Sequence, residues 1–265
     1  MSAWVEASPP TADIRWMNSV ATTIFILAGC ATLVAAVTLV SRLPWFAIKH
    51  IEVNGDVARS NPATLRAHVM PALNGGFFGF DIAAGRAAFE SVPWVRRAVV
   101  RKVWPDRLHV VLEEHRASAQ WLGEDGVERL VNEQGDVFDA NLGEVEDQAM
   151  PLLTGPEGSA VRLLGLYRSL SPLMAKVDQR IESLRMSRRG SLRAELAGGA
   201  SIEFGRGEDD EILARSARFV NTMSQVKSQF DRPLMNADLR HIDAYAVRLK
   251  GITTQLPGAA SAGKK

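Results

Sequence analysis

No charged residue occurs between Trp16 and Ser41, and the run from Ala21 to Val40 inside that stretch is almost wholly apolar. A helix needs about 20 mostly apolar residues to cross about 30 Å of hydrocarbon, and this run supplies them with no proline before Pro44. Trp16 and the Trp45-Phe46 pair stand at its two ends, where amphipathic rings favour the headgroup layer, with Arg15 and Arg42 just beyond. Residues 16–43 are therefore read as one membrane span, and the chain after Leu43 as a tethered body. The rival is a cleaved signal peptide, which calls for a basic leader, an apolar core of about 7–15 residues and a small-x-small cleavage site. Here the leader, residues 1–15, holds Glu6, Asp13 and Arg15, and the run is too long, although Thr32-Leu33-Val34-Ala35-Ala36 offers a weak site. Arg15 on one side against Arg42 and Lys49 on the other leaves the positive-inside count undecided. A short leader before a long body nevertheless fits an anchor with a cytoplasmic N-terminus.

About 220 residues follow Leu43, enough for one or two domains with a modest core each. Lys and Arg number 31 against 30 Asp and Glu, so there is no broad basic field to attract nucleic acid and no polybasic patch beside the membrane. Cys30, the only cysteine, lies inside the span and reads as a small packed residue, which leaves the body without disulfide or thiol chemistry.

The first part of the body reads strand, helix, helix, strand, strand. Ile51 and Val53 alternate with His50, Glu52 and Asn54 up to the Asn54-Gly55 turn. Ser60-Asn61-Pro62 places a cap and then a first-turn proline ahead of a short helix through Met70, closed by Pro71. Asp81 caps a second helix whose inward residues are expected to be Ile82, Gly85 and Phe89, with Pro93 ending it. Val95 to Val103 is a strand, Trp104-Pro105-Asp106 a turn, and Leu108, Val110 and Leu112 mark the apolar face of the next strand. The second part has shorter strands: Glu128–Val131 and Asp136–Phe138 about Asn132-Glu133-Gln134-Gly135, then Ser183–Ser187, Leu192–Leu196, and Ile202–Phe204 after Gly198-Gly199. Helices are expected from Ala160 to about Leu170 and from Glu208 to Val226. Met235, Ala237 and Leu239, then Tyr245, Val247 and Leu249, give two final period-2 strands before a small polar tail, residues 257–265, expected to be disordered. The fold class is α+β.

Three stretches carry a family resemblance: Ile48 to Gly55, Val95 to Trp121, and Leu234 to His241 together with Gly205-Arg206-Gly207 and the helix around Arg215-Ser216-Ala217-Arg218-Phe219. In this order after a membrane span, the chain resembles the FtsQ/DivIB cell-division family. The resemblance implies a POTRA domain over residues 44–116 and a mixed β domain over 117–256. It implies a non-enzymatic, single-pass inner-membrane protein, its body in the periplasm, concentrated at the septum. Its implied partners are the FtsB and FtsL division proteins at the β domain and other division proteins at the POTRA domain, with the bilayer held by residues 16–43. If Tyr245 to Leu249 is the last strand of a sheet, its outer backbone groups can pair with a partner segment, and Arg248 and Lys250 then face solvent beside Arg240. The expected partner-binding residues are Arg240, His241, Asp243, Tyr245, Val247 and Arg248, with Arg188 and Arg189 on a neighbouring hairpin. His241 stands where the family commonly has Tyr, and Ala244 where a turn Gly is common.

Other chemistries find little support. The histidines, His50, His68, His109, His115 and His241, are scattered without metal-ligand spacing, so neither metal nor cofactor is expected. Gly75-Gly76-Phe77-Phe78-Gly79 lacks the Lys-Ser/Thr ending of a phosphate loop and reads as a flexible turn whose Phe rings cover the helices. Glu208 to Glu211 read as acids at a helix N-terminus. No nucleophile elbow is present, and no spacing selects a carboxylate pair for a periplasmic enzyme acting on peptidoglycan. A POTRA protein of a secretion or assembly system would need a following barrel of many strands.

Overall fold

In the computed structural model, which describes residues 12–41, 47–72, 76–230, 232–241 and 244–251, the uncharged run forms one helix, α1 (Ala12–Ser41). Its 25-residue stretch Trp16–Val40 has no part buried against the protein and spans about 37 Å at 1.5 Å per residue. Thr22, Thr23, Thr32 and Thr38 each donate a hydroxyl hydrogen to a carbonyl three or four residues back at 2.7–2.9 Å, so these polar groups are satisfied within the helix. That is how a hydroxyl is tolerated in lipid, and α1 is consistent with a single-pass membrane anchor. Arg42, Trp45 and Phe46, most of the leader, Gly75 and the tail 257–265 lie outside the described residues.

The chain divides into two compact units, Met1–Glu114 and His115–Lys265. After α1, the first contains β1 (His50–Gly55), α2 (Pro62–Val69), α3 (Gly76–Gly79), α4 (Ile82–Glu90), β2 (Val95–Val103) and β3 (Arg107–Glu114). The three strands form a sheet in the order β1-β3-β2, β1 parallel and β2 antiparallel to β3. The period of two in β3 decides its placement: Leu108, Val110 and Leu112 are buried while Val111 is exposed. The two caps act as the sequence indicates. Asn61 accepts from Ala63 N at 2.9 Å with Pro62 at the first helical position, and Asp81 accepts from Ala83 N and Ala84 N at 2.8 and 3.3 Å.

Two readings of this unit change. Ile82 is 43% exposed, and the inward face of α4 is Gly85 and Phe89. A Cβ at Gly85 would lie 2.2 Å from Cζ of the buried Phe80 ring, so the glycine is the space into which that ring packs. The Gly-Phe-Phe-Gly stretch is helical rather than an open turn; Phe77 is buried and Phe78 exposed. Glu114, itself buried, accepts from Arg59 N and from Ser60 N, the latter at 2.7 Å, and so fastens the chain ahead of α2 to the end of β3.

The second unit contains β4 (Ala117–Leu122), β5 (Glu128–Asn132), β6 (Val137–Phe138), β7 (Leu152–Thr154), α5 (Ala160–Ala175), β8 (Ile181–Met186), β9 (Leu192–Leu196), β10 (Ser201–Gly205), α6 (Asp209–Phe230), β11 (Leu234–Asp238) and β12 (Ala246–Leu249). They form one mixed nine-stranded sheet in the order β12-β11-β10-β9-β8-β7-β4-β5-β6. Parallel neighbours need crossovers: α5 links β7 to β8 and α6 links β10 to β11. Their apolar sides, including Leu163, Leu166, Leu170, Ile212 and Phe219, join one core with Leu184, Ala194, Ile202 and Phe204 of the sheet. Helix α5 runs past the expected end at Leu170 and carries Pro172 inside it. Met174, fully buried one turn beyond Leu170, anchors that extension; tertiary burial here outweighs the one backbone hydrogen bond that the proline removes.

Candidate partner-binding site

Among the described residues strand β12 is an edge of the nine-stranded sheet, paired on one side only, antiparallel to β11. Its exposed side chains are Ala246 and Arg248, followed by Lys250, while Val247 is half-buried and Leu249 buried. The N–H of Lys250 donates to the Pro233 carbonyl at 2.9 Å. Alternation along the strand then turns the amides of Ala246, Arg248 and Lys250 toward β11 and those of Val247 and Leu249 to the open edge. Just ahead of the strand, Tyr245 packs edge-to-face on Phe219 with ring centroids 5.4 Å apart, and its hydroxyl meets Thr222 Oγ1. The site thus sets a fixed aromatic post beside a free backbone edge.

At the end of the sheet where β12 begins, three arginines converge. Arg189 from the β8–β9 turn, Arg206 after β10 and Arg240 after β11 line one open cleft of about 360 Å³ together with Ser187, Ser191 and Gly205. The parallel pairing of β10 with β11, Glu203 opposite Asp238, brings the last two to one level. Behind them the nearly buried Arg215 of α6 donates to the carbonyls of Arg206 at 2.7 Å and Arg240 at 3.4 Å, clasping both strand ends. Among the described residues the Arg189 and Arg206 side chains have no ion-pair partner, whereas Arg240 is forked onto Asp238, Nε to Oδ1 at 2.9 Å.

Two consequences can be measured. The hydrogen bond from Arg240 holds the Asp238 carboxyl below its ordinary 3.8. A depressed carboxylate stabilises the fold above its unfolded-state pKa, and that contribution is lost as pH falls through the folded value. A carbon-detected NMR titration should therefore give Asp238 a midpoint below 3.8; a midpoint at or above 3.8 would mean that Arg240 does not hold it. Gly205 has φ +79°, and a Cβ there would stand 2.9 Å from Arg240 Cγ and 3.4 Å from its Cα. Gly205→Ala should lower stability by about 1–2 kcal/mol and push Arg240 out of the cleft, read by chemical denaturation and by the Asp238 titration returning toward the ordinary value.

Residues 46–115 match the FtsQ-type POTRA domain, and residues 119–243 match the C-terminal region of the cell division proteins FtsQ/DivIB. The chain belongs to the FtsQ/DivIB cell-division family. It is 34% identical to the cell division protein FtsQ of Thiomonas arsenitoxydans over 97% of this chain and 94% of that one. The FtsQ of Burkholderia pseudomallei is also 34% identical, over 91% of this chain and 94% of its own, and that of Bordetella pertussis 32%, over 89% and 92%. Members of this family are non-enzymatic division proteins, and this FtsQ-family chain carries their POTRA and C-terminal regions behind an N-terminal apolar helix.

Of the residues singled out in the sequence of this FtsQ-family protein, Arg240 and Arg189 share the cleft, and Val247 and Arg248 lie on the free edge with Tyr245 at its start. His241 lines a neighbouring hollow of about 250 Å³ with Arg218, Thr222, Ala244 and Tyr245. Asp243 lies outside the described residues. Arg188 is turned elsewhere: its Nε and Nη2 bind Glu124 at 2.7 and 2.8 Å, which holds that carboxyl below its ordinary 4.5. Sequence reasoning passed over Arg206 and Arg215. Gly205-Arg206-Gly207 carried part of the family resemblance, but only the β10–β11 pairing places Arg206 beside Arg240.

Proposed function

We propose that this protein acts as a membrane-tethered division scaffold that binds the extracytoplasmic parts of FtsB- and FtsL-type proteins by strand addition at β12. Its N-terminus lies in the cytoplasm and its body in the periplasm, at the division septum. In this reading residues 44–116 form the POTRA domain, which meets earlier division proteins, and residues 117–256 the β domain, which meets later ones. The observation that carries the reading is the free edge of β12 opening, at its N-terminal end, toward the cleft of Arg189, Arg206 and Arg240. Backbone pairing along β12 supplies affinity, and a partner carboxylate in the cleft fixes register, because guanidinium groups bind carboxylates bidentately. Val247 and Leu249 direct their amides to that partner strand, and Arg248 lies at its flank.

The test is titration of the full-length chain in lipid nanodiscs with the extracytoplasmic parts of FtsB and FtsL from the same cell. Wild type should bind saturably. Arg189→Glu with Arg240→Glu should weaken binding by about tenfold or more, since reversing two charges replaces attraction with repulsion. Saturable binding unaffected by the reversal would remove the cleft from the interface, and no binding by the folded wild type would remove the reading itself.

A further inference from the structure

The first unit holds a second incomplete edge. Among the described residues strand β1 is paired only with β3, and between it and α2 lies an open groove of about 650 Å³. Its walls include Ile51 and Val53, the inward and only half-buried side chains of β1, and Leu65 and Val69 of α2. The small domain therefore leaves part of its core face uncovered beside an unpaired backbone edge, the combination that accepts an added strand with its alternate side chains in pockets.

Two further observations indicate what would fit. Ser60, which also lines the groove, is 5% exposed, and its Oγ has no hydrogen-bond partner among the described residues. A buried hydroxyl left unsatisfied is costly and is relieved by a polar group brought in by an occupant. Among the described residues the charged ones lining the groove are Lys49 and Arg66, both basic and both exposed. Arg66 has no ion-pair partner among the described residues, and Lys49 lies 3.9 Å from Asp106. Position narrows the source. His50 follows Ser41, the last residue of α1, by nine residues, which keeps the groove within about 30 Å of the membrane end of that helix.

We infer that this groove receives the extended juxtamembrane segment of another membrane-anchored protein, apolar at alternate positions and carrying a carboxylate near one end. The segment adds to β1 as a fourth strand, its apolar side chains entering over Ile51, Val53, Leu65 and Val69 and its carboxylate meeting Arg66 or Lys49. The inference deepens the proposed role of the POTRA domain and is independent of β12, so either can fail without the other.

The test uses the full-length chain in nanodiscs and a fluorescein-labelled probe peptide, Glu-Val-Thr-Val-Thr-Val-Thr, with Lys in place of Glu for comparison. Fluorescence anisotropy should show saturable binding of the Glu peptide and binding about fivefold weaker for the Lys peptide. Arg66→Glu and Met70→Glu, at exposed positions lining the groove, should each weaken binding by about tenfold, and Val99→Glu on the opposite edge strand should leave it unchanged. Amide hydrogen exchange on the wild-type protein should slow across residues 50–55 when the peptide is bound. No saturable binding, equal affinity for both peptides, or protection that falls on β2 or β12 instead of β1 would overturn the inference. Concentration-dependent self-association that protects β1 without peptide would also overturn it, assigning the groove to a second copy of the chain.

Discussion

Replacing Arg215 with Ala should lower the stability of the second unit by about 2–4 kcal/mol. The guanidinium is nearly buried, and it donates to the carbonyls of Arg206, Arg240 and Glu211. Truncation leaves the first two carbonyls, both in part-buried hydrogen bonds at the ends of different strands, without their common donor, and an acceptor left unmade away from water costs about 1–3 kcal/mol. Part of that is offset because the buried cation is itself costly to desolvate. Urea denaturation followed by a probe in the second unit checks the size, and Arg215→Lys should recover little, because one ammonium cannot span both carbonyls in the planar geometry of the fork. Binding should fall as well, since Arg206 and Arg240 lose the clasp that sets their level. A stability change below about 1 kcal/mol would show that water replaces the guanidinium, and that the cleft is organised by the strands alone.

This clasp also shows where the sequence stops informing. Elements with a clean period or cap were legible: Leu108, Val110 and Leu112 of β3, the capped starts of α2 and α4, and the alternation that marks β12. Strand β7 was not, because three residues around a single buried Leu153 show no period, and its pairing with β4 and β8 comes from distant chain. Ile82 falls on the helix face that periodicity favours, yet Phe80 fills the space against Gly85 and leaves Ile82 outside. The same limit divides the site. The edge strand and its Arg248 follow from local pattern, but Arg189, Arg206 and Arg240 belong to three separate turns and meet only through strand order. Nor does sequence distinguish Arg188 from Arg189: consecutive residues point apart, so one reaches Glu124 while its neighbour lines the cleft.

Val247→Pro should abolish binding of the FtsB and FtsL parts, by about a hundredfold or more, while Val247→Ala keeps it within about fivefold. The contrast isolates the backbone. Both substitutions remove the half-buried valine side chain, which packs against the core beneath β12, and both should cost about 1 kcal/mol of stability through that loss. Only proline also removes the N–H that faces the open edge and places its ring where a partner carbonyl would dock. The β11 ladder is spared, because the amides of Ala246 and Arg248, its neighbours on either side, are the ones turned inward. Isothermal titration calorimetry on the full-length chain in nanodiscs, with circular dichroism to confirm that both variants remain folded, separates the outcomes. Equal affinity for the two variants would mean that partners dock on side chains at the cleft and along α6 without adding a strand. A loss confined to proline would identify the unpaired edge of β12 as the surface that joins this protein to the division machinery.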